Sequence, residues 1–251
     1  MTTQDNPFAF NADPDKTQVA TSEGAPADLS QVVPPQALHS FARFSLILFC
    51  LVSVLSMGSS LMQVSLLEEV RTGIGPDFDA RATANDNREL GVTVLNLLIL
   101  IVAGIVSLKL LHRLRSNVDH LGARELESTP GWSVGWFFVP IANLWKPLGA
   151  TRQTWQASIS PESWQSVKAP GILGVWWFFW IVASVVGRVS SRFETIAGEG
   201  IDALVSGTWI AFGHSMLTMI AALCYMSVLK QMTETQVETF HKLSQSQTSR
   251  F

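Results

Sequence analysis

Apolar positions in this chain do not alternate with polar ones and do not recur every third or fourth residue; they come in long unbroken runs. Four of these approach the ~20 residues needed to cross a ~30 Å hydrocarbon core: about 44–67, 90–111, 171–189 and 203–229. The first carries no charge and stops at Glu68–Glu69. The second holds a single charge, Lys109, close enough to its end to snorkel. The third contains the block Trp176-Trp177-Phe178-Phe179-Trp180, and the fourth has His214 near its middle. A soluble helix would show a polar face every 3.6 residues, and a membrane barrel would show alternating segments of about ten. Neither pattern is present. The chain is predicted to be all-α, an integral membrane bundle of four transmembrane helices.

A fifth apolar stretch tests that count. Residues 131–145 read GWSVGWFFVPIANLW, about 14 apolar residues interrupted by Pro140, or roughly 21 Å as a helix. That length suits an interfacial or re-entrant segment. Lys and Arg prefer the cytoplasmic side, so charge gives an independent test. With four spans and an inside N-terminus, the inner side receives Lys16, Arg43, Lys109, Arg113, Arg115, Arg124, Lys146, Arg152, Lys168, Lys230, Lys242 and Arg250. The outer side receives only Arg71, Arg81, Arg88, Arg188 and Arg192. Counting the stretch as a span destroys this asymmetry. Both termini are therefore expected in the cytoplasm, in a plasma-membrane protein.

The segments between the runs are read from their polarity. Residues 1–40 are polar, acidic and rich in proline (Pro7, Pro14, Pro26, Pro34, Pro35) and lack the basic and apolar regions of a signal peptide. Too little surface can be buried there to offset ordering entropy, so a disordered cytoplasmic tail is expected. A membrane domain over 41–230 follows, with an interfacial segment at 131–158 and a cytoplasmic tail at 231–251. Glu68 to Glu89 is expected to be an outer loop, broken by Gly73, Gly75 and Pro76. The apolar residues Val228, Met232, Val237, Phe240 and Leu243 fit no single helical stripe, so only a short helical extension is expected after the last span.

Composition narrows the function classes. Only 15% of residues are charged and the net charge is −3, which gives no field for nucleic acid. The two cysteines, Cys50 and Cys224, lie inside apolar runs, which excludes a disulfide framework and a CxxC zinc site. No HExxH, P-loop or G-x-S-x-G pattern occurs, so no catalytic residue, metal ligand or cofactor is assigned. Gly198-Glu199-Gly200 with Ala203 fits G-x-G-x-x-A, but it follows no strand and leads into a membrane helix.

The connection between the second and third runs is the most distinctive part. It contains Arg115, Asn117, Leu121 and Gly122, then Gly131-Trp132, Gly135 to Pro140, Asn143-Leu144-Trp145 and Pro147, then Trp155, Ala157 and Ser158. Together these resemble the DUF4328 family of bacterial membrane proteins, whose pattern runs approximately R-x-N-L-x-A-L-G, PGWxVGWWFVPxxNLWxP and REIWxAS before a Trp-rich membrane helix. The resemblance covers roughly residues 43–230, and its specific part lies between about 113 and 180. Val118 and Gln153-Thr154 depart from the pattern. The resemblance supports the membrane architecture and implies no reaction.

Two sets of residues are candidates for function. Trp132, Trp136, Trp145 and Trp155 favour the membrane–water boundary, because indole joins an apolar body to one N–H donor. Pro140 bends the segment and frees a carbonyl, which Asn143 is expected to satisfy. Lys146 and Arg152 are placed to meet anionic headgroups. With Gly135 and Pro147, these form the candidate binding motif. The second set is intramembrane: His214, the only ionisable side chain deep in a span, and Asn96. Ala183 and Gly187 are small residues spaced to let helices approach closely. The reading that follows is a non-enzymatic organising, regulatory, lipid-binding or partner-binding protein acting through the Trp-rich segment. The alternative is a small permease or transporter subunit using the intramembrane polar residues. The expected partners are membrane lipids, with a protein partner or a second copy of the chain left open, and no nucleic acid.

Overall fold

A computed structural model of the chain describes residues 27–197 and 200–249. It contains six α-helices and, among the described residues, no strand: α1 (Gln36–Thr72), α2 (Phe78–His120), α3 (Pro130–Gly135), α4 (Lys146–Ile159), α5 (Gly171–Ala197) and α6 (Ile201–Thr248). The helices α1, α2, α5 and α6 are each long and apolar enough to cross a membrane. Their outer faces carry the large side chains that water would reject, among them Phe44, Leu51, Leu98, Ile101, Phe178 and Trp209. An apolar girdle of this extent belongs against lipid.

The spanning helices form an open arc. α1 packs on both α2 and α6, and α6 packs on α5, but α2 and α5 are not packed against each other. Serine and threonine hydroxyls inside the bundle mostly bond back to their own helix. Ser53 donates to the Phe49 carbonyl at 2.9 Å, Ser184 to Trp180 at 2.8 Å and Thr208 to Leu204 at 2.9 Å. Such bonds satisfy the hydroxyl without a partner helix.

The helices outrun the hydrophobic segments at both ends. The expected outer loop of residues 68–89 shrinks to residues 73–77, because Phe78 to Glu89 forms the first three turns of α2. Gly73 ends α1 at φ 126°, and its N–H caps the Glu69 carbonyl at 3.1 Å. The polar turns beyond it are tied to α1: Arg81 bonds Glu69 at 2.7 Å, and Arg88 Nε donates to Ser59 at 2.9 Å. Hydropathy marks where a helix leaves lipid and says nothing about where it stops.

At the other end, α2 continues to His120 and α6 to Thr248. These extensions, with α3 and α4, build a cap at the end of the bundle where α1 begins and α6 ends. The long final helix corrects the short extension expected after residue 230. Its buried face is Val228, Leu229, Met232, Thr233, Gln236 and Thr239, a regular stripe whose second half is polar. The N-terminal expectation is corrected too. Residues 1–26 lie outside the described residues, but Val33 is bonded to α2 and α1 begins at Gln36. Asp28 accepts bonds from Ser30 and Gln31, and the Ser30 hydroxyl in particular holds its carboxyl below the usual carboxylate range.

Candidate functional site

The cap is organised by Asn117, which α2 presents near its last turn. Asn117 Nδ2 donates to the Val33 carbonyl at 2.9 Å and to Gln236 Oε1 at 3.2 Å, while its Oδ1 accepts the Val33 N–H at 3.1 Å. Gln236 Nε2 in turn donates to the Leu114 carbonyl at 2.6 Å and to Ser158 Oγ at 3.1 Å. Thr239 closes the network by donating to the Ser158 carbonyl at 2.8 Å. One buried amide network therefore joins the N-terminal segment, α2, α4 and α6. Beside it, buried Arg115 donates through Nε to the Ser128 carbonyl at 2.8 Å and pairs with Asp119 at 2.6 Å.

Arg115 thereby sets the start of the Trp-rich segment. Thr129 caps α3 by accepting the Trp132 N–H at 3.3 Å, with Pro130 in the first turn. Gly135 lies under the Trp132 indole, where a Cβ would come within 3.1 Å of the ring. Trp132 and Trp136 have ring centroids 4.5 Å apart, and Trp136 Nε1 donates to Ser128 Oγ at 3.0 Å. Lys146 Nζ sits 5.7 Å from the Trp136 ring centroid and 3.6 Å from Glu127 Oε2. Its charge is engaged inside the cap. Arg152, by contrast, is exposed and has no ion-pair partner among the described residues.

Between α3 and α4 the segment breaks into two single 3₁₀ turns, residues 136–138 and 142–144, joined through Pro140 and Ile141. Ile141 has φ 69° and ψ −57°, and the Ala142 N–H donates to the Pro140 carbonyl at 2.8 Å. This is a γ-turn of the strained hand, and a β-branched residue is a poor occupant of it. The turn displays apolar side chains outward: Phe138 is 72% and Ile141 73% exposed, with Leu144 and Trp145 also open. Replacing Ile141 by glycine is expected to relieve about 1 kcal/mol of strain and to raise the midpoint of thermal unfolding in detergent. A lowered midpoint would show that the turn is not strained.

The two ends of the segment are held at the same end of the bundle. Arg115 fixes Ser128 to the end of α2, and Trp177 Nε1 on α5 donates to the Leu144 carbonyl at 2.9 Å. The segment thus enters and returns on one side. Asn143 acts differently from the expectation. Its backbone N–H, and not its side chain, takes up a carbonyl, that of Val139 at 2.9 Å; Asn143 Oδ1 is buried without a partner. Pro147 opens α4 in its first turn, and Trp155 packs half-buried against the main core.

The intramembrane candidates occupy separate interfaces. Asn96 Nδ2 donates to Ser56 Oγ at 3.2 Å, between α2 and α1. His214 Nδ1 lies 3.1 Å from the Ala183 carbonyl on α5. A carbonyl can only accept, so Nδ1 carries the proton and neutral imidazole leaves Nε2 as an acceptor. Gly187 makes this approach possible, since a Cβ there would fall 2.8 Å from His214 Cε1.

Sequence inspection missed the cavity that the arc encloses. It holds about 350 Å³ and lies between α2 and α5, with Phe137 and Phe138 of the Trp-rich segment among its lining residues. His214, Ser107 and Tyr225 also line it. The Tyr225 ring stacks on Trp176 with centroids 4.5 Å apart. No local pattern could reveal this space, because each lining residue alone reads as lipid-facing or core.

The profile of a family described as a domain of unknown function, DUF4328, matches residues 77–234. The chain belongs to this family. No curated protein and no solved structure matches the chain. The match leaves α1 outside, so it is narrower than the stretch of about 43–230 over which the resemblance was expected. Within it, the residues that carry the DUF4328 resemblance have structural roles. Arg115 and Asn117 hold the cap, and Gly122 adopts φ 102°, open to glycine. Ala157 and Ser158 are wholly buried, Ala157 among Val118, Ala123 and Trp164 and Ser158 against Gln236 and Thr239 of α6.

Proposed function

We propose that this DUF4328 protein is a non-enzymatic, multipass plasma-membrane protein that reads lipid at the cytoplasmic boundary through its Trp-rich segment. The observation that carries the reading is the turn at Phe138–Trp145. It exposes four large apolar side chains around a strained backbone position, and the helix that follows, α4, carries exposed Arg152. Strain of this kind persists where surrounding structure enforces it, and it concentrates at binding elements. Apolar side chains followed by an exposed cation match an acyl region beside an anionic headgroup. The excess of Lys and Arg on the side of the termini supports a cytoplasmic location for the cap.

The alternative of a small permease rests on Asn96 and His214. Each is bonded across a helix pair, and the two lie on different interfaces, so they suggest no shared route.

The test is photocrosslinking in membranes, with a photoreactive residue replacing Ile141 or Trp145. Trp136 is a poorer probe position because its indole is engaged by Ser128 and Lys146. Lipid adducts are expected, enriched in anionic phospholipid, with the enrichment lost in Arg152→Glu. A single discrete protein adduct would replace the lipid reading with a partner-binding one. Absence of any adduct would remove both.

A further inference from the structure

The cavity between α2 and α5 shares Phe138 with the Trp-rich turn but has its own chemistry. Its walls carry no Asp, Glu, Lys or Arg. A charged occupant would be stranded without a counter-charge in a low-dielectric space, so the occupant must be neutral. Its volume of about 350 Å³ lies at the small end of ligand pockets, which run roughly 300–1,000 Å³. Residues of both α2 and α5 line the cavity, and these two helices are not packed together.

Two hydroxyls in the wall lack partners. Tyr225 is 9% and Ser107 3% exposed, and neither Tyr225 OH nor Ser107 Oγ has a hydrogen-bond partner among the described residues. Ser107 departs from the habit of this bundle. Ser45, Ser53, Ser56, Ser60 and Ser184 all donate to a carbonyl of their own helix, but Ser107 does not. Buried hydroxyls are seldom left unmade, since the cost is on the order of a full hydrogen bond. The Trp176 stack fixes the Tyr225 ring while leaving its hydroxyl unused.

The polar groups are spread along the cavity. Ser107 lies in the cap-side half of α2 and Tyr225 at the middle of α6. His214 stands eleven residues earlier on α6, roughly 16 Å along the helix. We propose that this cavity binds a neutral, single-chain lipid whose carbonyl or hydroxyl head bonds to Tyr225 and Ser107. Its apolar chain runs past Ala103 and Gly104 and leaves between α2 and α5. The same head chemistry is supplied by a quinone ring or by a glycerol ester, and the two are separated experimentally.

Binding is measured on the full chain in dioleoylphosphatidylcholine nanodiscs by native mass spectrometry. The probes are a decyl-substituted benzoquinone, 1-monooleoylglycerol and, as the anionic comparison, dioleoylphosphatidylglycerol. One neutral probe is expected to bind at one per chain, and which one identifies the source. Tyr225→Phe is expected to weaken it about tenfold, the loss of one buried hydrogen bond, without lowering the thermal midpoint of the probe-free protein. Gly104→Phe is expected to abolish binding, because a Cβ at Gly104 enters open space and meets no atom within 4 Å. Trp145→Ala disturbs the headgroup contact and is expected to leave this binding intact, so failure of the boundary reading and failure of this one are distinguishable. If Gly104→Phe does not fold, Gly104→Leu and Tyr225→Phe carry the test. The proposal is overturned if neither neutral probe binds at one per chain, if the anionic lipid competes for the same site, or if Tyr225→Phe and the filled cavity bind as the parent does.

Discussion

Asn117→Ala is expected to destabilise the protein by about 2 kcal/mol and to loosen the cap as a unit. The magnitude follows from what the substitution leaves behind. The buried Gln236 Oε1 loses its Asn117 partner, at a cost of roughly 1–3 kcal/mol, while the N–H and carbonyl of exposed Val33 lose theirs at a position that water reaches. The loss propagates, because Gln236 also supports Ser158 and the Leu114 carbonyl. Thermal unfolding in detergent measures the first effect. Limited proteolysis measures the second: new cleavage is expected near residue 33 and between residues 236 and 248, with the spanning helices still protected. A cut pattern unchanged from the parent would mean that apolar packing, and not the amide network, holds the cap.

Trp176→Ala is expected to cost about 3 kcal/mol. Trp176 is 2% exposed, stacks on Tyr225 and contacts Trp177 edge to face. In a soluble protein truncation of such a residue costs 3–5 kcal/mol, part of it from apolar transfer out of water. That part is weak here, because lipid tails solvate an exposed indole nearly as well as the bundle does. What remains is lost dispersion contact and the aromatic pair. The comparison with Tyr225→Phe sharpens the test, since that change keeps the stack and removes only a hydroxyl without a partner. A loss in Trp176→Ala no larger than in Tyr225→Phe would show that the stack contributes nothing.

The Trp-rich segment illustrates how far local reading reaches. Its length and Pro140 were sufficient to set it apart from the four long helices, because a helix of about 14 residues is roughly 21 Å long and falls short of a ~30 Å hydrocarbon core. The role of Lys146 was not accessible in the same way. Whether its ammonium meets a headgroup or Glu127 depends on where the residue 121–129 loop folds back, and that is set by Arg115 some thirty residues earlier. The polar stripe Thr233, Gln236 and Thr239 was visible as spacing but invisible as burial. Polar residues on a buried helix face look like solvent-facing ones until their partners are known.

By itself the chain's pattern determined that it is all-helical, that four helices are long and apolar enough to cross a membrane, and that the 131–145 segment is too short to do so as a helix. These follow from hydrogen-bond satisfaction in hydrocarbon, which leaves a helical segment almost no alternative and acts on local sequence alone. Only the tertiary structure decided that the four helices form an arc with α2 and α5 apart, that Asn117 ties Val33 and Gln236 to α2, and that Ser107, Tyr225 and His214 share one cavity. Each depends on contacts between residues tens to more than a hundred positions apart. Lipid gives no hydrophobic incentive for one helix pairing over another, so the arrangement is chosen by shape and by single hydrogen bonds that no run of apolar residues reveals.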